Sequence, residues 1–205
     1  MAPSAALGTK SDGQRSRLAL IVTGGVGLAA ASPFLRPLLG LGAADAASKA
    51  EDLRILQLVL QLEYTQVALY EQALKEASLS GELRDFAQTA LGHERQHLAA
   101  VKQALGSKAG PKPRFEFGSK TKSADAFRQT AIKLEDVAVA GYNGQATNLT
   151  KPTLAVAGEI VSVEARHAAW VRAIAGEVAA PDPVDKPMTG SEVAAALHEI
   201  GLRAS

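Results

Sequence analysis

Glu164 and His167 lie three residues apart within the last long apolar segment of the chain. At this spacing, two side chains of an α-helix lie on the same face, one turn apart. Ile160 and Val171 flank the pair at helical spacing, so the pattern predicts that this face is buried. Because a buried carboxylate is unfavourable without a compensating partner, the pair is a candidate to bind a cation.

The same pair occurs 70 residues earlier, as Glu94 and His97. Each pair is preceded by a segment with helical periodicity and one Glu in its apolar stripe. These are Glu63 in the first half and Glu135 in the second, 72 residues apart. Leu, Val, Ala and Tyr residues recur around both at the same offset. The sequence therefore predicts a duplicated helix pair, with one Glu followed by Glu-x-x-His in each half.

This pattern resembles the ligand set of the ferritin-like di-iron and di-manganese carboxylate proteins. The resemblance covers roughly residues 50–176, and its six positions are filled by Glu63, Glu94, His97, Glu135, Glu164 and His167. The neighbouring sequences resemble the exported bacterial branch of ferritin-like domains, namely Leu-Glu-Tyr from 62, Glu-Asp-Val-Ala-Val-Ala-Gly-Tyr-Asn-Gly from 135 and Val-Glu-Ala-Arg-His-Ala-Ala-Trp from 163. The resemblance implies an all-α, ferritin-like four-helix bundle with a long crossover between its second and third helices.

Four carboxylates nearly balance the charge of two divalent cations, and the imidazoles disfavour calcium. The resemblance implies two Fe ions or two Mn ions as cofactors; zinc fits such a site but has no redox chemistry. The implied ligand roles are terminal for Glu63 and Glu135, bridging for Glu94 and Glu164, and one metal each for His97 and His167. The implied partners are metal ions with O2 or peroxide, and the implied activity is that of an oxidase, a ferroxidase or a catalase-like protein.

Tyr70 and Tyr142 follow Glu63 and Glu135 by seven residues, two helical turns along the same faces. We interpret both as candidate catalytic residues, which hydrogen-bond the ligands or relay electrons. The alternative is that each packs in the core with its hydroxyl satisfied. Trp170 follows His167 by three residues, and we interpret it either as an electron relay or as a residue that packs beneath the metal layer.

Two alternatives to a catalytic metal centre follow from the same residues. In one, the bundle binds no metal, and its Glu and His residues pair with Arg95 and Arg166. In the other, metal only stabilises the bundle, or the protein is a metal- or stress-associated binding protein with negligible catalysis. His93 and His198 lie off the inward stripes, and we expect both to be exposed.

Composition limits the remaining functions. The 205 residues carry a formal net charge of +1, which gives no electrostatic basis for binding nucleic acid. The sequence contains no Cys, which excludes disulfides, thiolate catalysis and iron–sulfur clusters. Association into a homo-oligomer is left open.

Residues 1–47 resemble a targeting segment rather than part of the fold. Basic residues precede an apolar run over 18–31, which is too short to span a bilayer but suits a signal peptide. This predicts export to the periplasm or the extracellular space. The resemblance implies twin-arginine export, but Arg15 and Arg17 are separated by Ser16, so the general secretory route and an uncleaved membrane anchor stay open.

The remaining sequence divides into a bundle over 48–178 and a tail over 179–205. Periodicity predicts helices over about 50–78, 82–105, 124–148 and 152–175, with Gly141 and Gly144 marking close packing or a π-bulge. The Gly- and Pro-rich linker 106–122 predicts a non-helical crossover long enough to run the length of the bundle. Thr189 and Glu192 predict a capping box that opens a short C-terminal helix, acting as a lid or a brace.

Overall fold

Four long helices form the bundle in the computed structural model, which describes residues 47–203. They are α1 (Lys49–Glu76), α2 (Gly81–Leu105), α3 (Ala124–Gln145) and α4 (Lys151–Ile174). Short turns join α1 to α2 and α3 to α4, which makes each pair an antiparallel hairpin. The predicted all-α bundle is thus confirmed. All but the last residue of the predicted targeting segment lies outside the described residues.

Side chains cap the helices at their N-termini, where backbone N–H groups lack helical partners. Ser48 accepts a hydrogen bond from the N–H of Glu51 at the start of α1, and Ser123 accepts one from Ala126 at the start of α3. The start of α4 is capped from another helix: the Asp52 carboxylate of α1 accepts the N–H of Thr150 at 2.9 Å. The two serine caps are local, whereas the bond from Thr150 to Asp52 also joins the two hairpins.

The crossover between α2 and α3 follows α1 along the bundle. Near its beginning, the Gln57 amide donates to the carbonyl of Lys108. At its end, the Lys122 ammonium lies 2.9 Å from the Glu76 carboxylate. Gln57 and Glu76 are separated by about 28 Å along α1, at about 1.5 Å per residue. The segment therefore runs the length of the bundle, as predicted, and α3 starts beside the end of α1.

The prediction that the crossover contains no helix was wrong in detail. Two short 3₁₀ helices, Gly106–Lys108 and Gly118–Thr121, lie at its ends. Between them, β1 (Arg114–Phe115) pairs antiparallel with β2 (Leu202–Arg203) near the C-terminus. This pairing was not predicted, because two-residue strands leave no alternation in the sequence. The third helix, predicted to run to about residue 148, ends at Gln145 instead, and a 3₁₀ turn follows over Ala146–Asn148.

The C-terminal helix α5 (Gly190–Ile200) braces the bundle by packing on α3 and α1. The predicted capping box is present, since Thr189 and Glu192 exchange their hydrogen bonds. Leu197 and Ile200 are buried in the common core. None of the helices over residues 47–203 is long and apolar enough to cross a membrane.

Close packing, not a π-bulge, explains the glycines of α3. The helix is regular α throughout. A Cβ on Gly141 would lie 3.0 Å from the Val193 side chain of α5, and one on Gly144 would lie 1.9 Å from the Met188 carbonyl oxygen. The Met188 N–H is itself bonded to the Ala140 carbonyl at 2.9 Å. The segment that leads into α5 thus lies directly against α3.

Gly144→Ala should destabilise the protein, because the backbone at Met188 must move away from α3. We expect a loss of about 1–3 kcal/mol in the free energy of unfolding, typical of overpacking. Gly158→Ala in α4 is the matched control, since no atom beyond the local backbone of α4 lies within 4 Å of its added Cβ. It should stabilise the protein by up to about 1 kcal/mol through helix propensity. Urea denaturation measures both; equal effects would contradict the packing argument.

Candidate metal centre

Six buried side chains from all four long helices meet at the centre of the bundle. They form two overlapping groups whose ligand atoms lie within 4.8 Å of one another. The first group is Glu63, Glu94, His97 and Glu164; the second is Glu94, Glu135, Glu164 and His167. All four carboxylates are fully buried, at 0% exposure. The six residues identified by sequence spacing are therefore brought together without exception.

Glu94 and Glu164 belong to both groups and lie between the two imidazoles. The Nδ1 atom of His97 is 2.9 Å from one oxygen of each of these carboxylates. The Nδ1 atom of His167 is 2.9 Å from the other Glu94 oxygen. Glu63 and Glu135 lie at the outer sides, at 3.8 Å from His97 and 3.6 Å from His167. Glu94 and Glu164 are therefore the central carboxylates of the cluster, and Glu63 and Glu135 are the outer ones.

The donor set fits two divalent cations of the Fe or Mn type. Glu63 Oε2, Glu94 Oε1, Glu164 Oε1 and His167 Nδ1 are all buried without a well-oriented hydrogen bond. Buried polar atoms are seldom left in this state. Ligands about 2.1 Å from one octahedral cation lie about 3 Å from each other, close to the spacing between these donors. A site of four carboxylates and two imidazoles is of the intermediate hardness that suits iron or manganese.

The two tyrosines form crossed hydrogen bonds with the outer carboxylates. The Tyr142 hydroxyl of α3 donates to Glu63 of α1 at 2.6 Å, and the Tyr70 hydroxyl of α1 donates to Glu135 of α3. Burial raises the pKa of both phenols well above the ordinary value, and the neighbouring carboxylates raise it further. Both hydroxyls therefore keep their protons and orient the outer carboxylates.

Sequence reasoning missed two further residues that contact the cluster. The buried Gln66 amide donates to Glu164 at 2.8 Å and Glu135 at 3.3 Å. His93, which we expected to be exposed, is partly buried, and its Nδ1 lies 2.9 Å from Nε2 of His167. Gln66 follows Glu63 by three residues, and His93 precedes His97 by four, so helical spacing was an available signal for both.

Four residues of the cluster have raised pKa values, so each retains its proton to a higher pH than it would in water. Burial alone would lower the pKa of His97, but its bonds to Glu164 and Glu94 outweigh burial and raise it to about 10. The same balance, with Glu135 and Glu94 as partners, raises the pKa of His167 to about 10. Burial and the neighbouring Glu94 charge raise the pKa of Glu63 well above its ordinary range. Burial likewise raises the pKa of Glu164, reinforced by Glu94 and Glu135.

The alternative pairing with arginines is wrong. Arg95 bonds to Glu71 on the surface at 2.8 Å, and Arg166 is exposed. Trp170 packs edge-on against Phe86, with ring centroids 5.3 Å apart, and its indole N–H donates to Glu82 at 2.9 Å. This placement supports the packing interpretation of Trp170. His198 is exposed, as expected.

A cleft between α2 and α4 connects the cluster to the surface. It has a volume of about 440 Å³. Its walls include His93, His97, Arg166, His167 and Trp170. The imidazoles of His97 and His167 therefore both border an open cleft that small molecules can enter.

A family model described as a ferritin-like domain matches residues 51–177, which is more than half of the chain. The chain belongs to the ferritin-like family. The match spans all four helices that supply the cluster and ends just beyond α4. Comparison with curated proteins finds no similar sequence. The family and the buried Glu/His cluster together make the site compatible with a di-metal centre.

The metal-free protein should lose stability as pH rises from 7 to 9. The raised pKa values of His97 and His167 mean that the folded state holds these protons after the unfolded chain, with a pKa of about 6.5, has released them. Their stabilisation is complete below about pH 6.5 and is lost as pH approaches 10. The raised pKa of Glu63 and of Glu164 acts in the same direction.

Urea denaturation in the presence of EDTA at pH 7, 8 and 9 measures this loss. His97→Gln removes one of the protonated groups and should make the decline shallower. A free energy of unfolding that stays constant or rises over this pH interval would contradict the assignment of protons to the cluster.

Proposed function

We propose that this ferritin-like protein binds two Fe or two Mn ions at the cluster and reacts with O2 or peroxide as an oxidase, ferroxidase or catalase-like protein. The observation that carries the proposal is the convergence of four buried carboxylates and two imidazoles, four of whose ligand atoms lack a well-oriented hydrogen bond. Such a cluster is unfavourable unless cations or protons compensate its charge. Two divalent ions provide that compensation.

The chain's own residues would hold and orient the ions. Glu94 and Glu164 would contact both ions, with Glu63 and His97 completing one position and Glu135 and His167 the other. The ions would supply the redox electrons for reaction with O2 or peroxide. Tyr70 and Tyr142 would fix the outer carboxylates by donating to the oxygens that face away from the centre. The cleft between α2 and α4 would admit O2 or peroxide to the imidazole side.

Metal analysis of the purified protein tests the binding part of the proposal. After reconstitution with Fe²⁺ under argon, or with Mn²⁺, elemental analysis should find two ions per chain. Glu94→Ala with Glu164→Ala should abolish binding, because both shared carboxylates are lost, and Glu94→Gln with Glu164→Gln should do the same at nearly constant volume. Glu159→Ala, an exposed residue of α4, is the matched control and should bind two ions.

Circular dichroism should show that the helices persist in all of these variants. If the wild-type protein takes up no transition metal, or if the Glu94 and Glu164 variants bind it as well as the wild type does, the metal proposal is wrong.

Turnover separates an oxidase from a binding protein. With metal bound, O2 consumption with excess Fe²⁺, or peroxide consumption by the Mn form, should continue for many cycles per chain. Stoichiometric metal binding without turnover would instead favour the alternative of a metal- or stress-associated binding protein.

We further propose that the protein is exported to the periplasm or the extracellular space. The basic residues and the apolar run before residue 32 support this. N-terminal sequencing of the native protein should begin near Ala47, after the Ala44-Asp45-Ala46 sequence that suits a signal peptidase. A soluble cytoplasmic protein that retains Met1 would contradict export.

A further inference from the structure

An apolar cavity of about 200 Å³ lies beside the cluster. On α1 its wall residue Val59 precedes Glu63, whereas Tyr70 follows Glu63, so the cavity and Tyr70 lie on opposite sides of the cluster. Its inner wall includes Val59, Val101, Ile160 and Tyr142. Val59 and Ile160 precede Glu63 and Glu164 by four residues, and Val101 follows His97 by four. The cavity therefore begins one helical turn from the ligands on three helices. Tyr142 reaches from its wall to Glu63.

The cavity offers an apolar environment to an occupant. Its three polar wall residues direct their donors elsewhere: Tyr142 to Glu63 at 2.6 Å, Thr153 to Asp52 at 2.6 Å, and Gln145 to the Met188 carbonyl at 3.4 Å. The remaining wall residues are aliphatic or proline, and none is charged. An apolar cavity of about 150 Å³ is large enough to bind benzene. The space here suits a small aromatic molecule or a short alkyl chain.

The internal duplication explains why this space exists. Around Tyr70, the equivalent space is filled by Phe86, Phe127 and Trp170. Tyr70 contacts Phe86 and Phe127 edge-on, with ring centroids 5.8 and 5.7 Å apart.

The offsets of 70 and 72 residues place smaller residues at each matching position around Tyr142. Phe86 corresponds to Val156, Phe127 to Ile55 and Trp170 to Ala100. All three smaller residues line the cavity. The cavity is thus the volume that three aromatic side chains occupy in the other half of the bundle.

The mouth of the cavity lies along the first half of α4. Val156 is 48% exposed there, and neighbouring Leu154 is 39% exposed. Large apolar side chains left exposed beside a cavity are typical of ligand sites.

We propose that this cavity binds a small uncharged apolar molecule, an aromatic ring or a short alkyl chain, one helical turn from the metal cluster. If the proposed function is correct, such molecules are the substrate class that would reach the metal centre through this cavity. The binding itself needs only the chain's own residues, so it can be tested without metal.

The test is NMR titration of the purified protein with toluene, and with benzoate as its charged counterpart, in the presence of EDTA. Toluene should bind and give nuclear Overhauser contacts to methyl groups of Val59, Val101 and Ile160, whereas benzoate should not bind. Val156→Phe restores an aromatic side chain of the other half and should weaken toluene binding by about tenfold or more, about 1.4 kcal/mol. Ala100→Trp should have the same effect from α2.

Ala155→Phe is the matched control, because Ala155 is exposed on α4 and does not line the cavity. It should bind toluene as the wild type does. The proposal is overturned if the wild type does not bind toluene, or if Val156→Phe and Ala100→Trp bind it unchanged.

Repeating the titration after metal reconstitution separates this proposal from the metal proposal. Toluene binding without metal uptake would leave the cavity site intact and refute the metal centre. Two bound ions without toluene binding would support the metal centre and refute the cavity site.

Discussion

The bundle depends on burying four carboxylates and two imidazoles in one small volume. Glu63, Glu94, Glu135 and Glu164 are fully buried, and their oxygens lie within a few ångströms of each other. Left ionised and alone, they would repel strongly in a medium of low dielectric constant. Burial and neighbouring carboxylates raise the pKa of Glu63 and Glu164, and bonds to carboxylates raise the pKa of both imidazoles, so these groups retain protons that offset the repulsion. The proposed metal uptake would displace those protons, so metal binding and proton release would be linked.

Much of this arrangement could be predicted from the sequence, because its signals are local and periodic. A Glu and a His three residues apart fix a common helix face, and the repeat of that pair fixes four helices around one centre. The linker before α3 is long enough to run the length of the bundle, which predicted a crossover. Contacts between segments that are distant in the sequence leave no periodic pattern from which they could be predicted. The capping of α4 by Asp52 and the pairing of β1 with β2 depend on how the hairpins dock.

His93 shows the limit of reasoning from helical stripes. It lies beside Glu94 and off the inward face, which predicts exposure. The side chain nevertheless reaches His167 across the interface between α2 and α4, because His167 presents its second nitrogen there. The pKa of His93 is lowered by burial and by His167, so a neutral ring accepts the proton that His167 Nε2 donates. That contact leaves Nδ1 of His167 directed at the cluster, which is the orientation that a metal ligand requires.

The duplication relates the six cluster residues by symmetry, but the residues that surround them differ between the two halves. The residues that match Gln66 and His93 in the other half are Ala138 and Val163, which cannot form equivalent hydrogen bonds. Both extra groups act on the same side, through Glu135, Glu164 and His167. The position built on His167 is therefore the more firmly oriented of the two, whereas His97 lies at the open cleft without a matching imidazole. The cavity beside Tyr142 adds a second asymmetry along the bundle axis. The two metal positions proposed for this symmetric ligand set would therefore be chemically distinct.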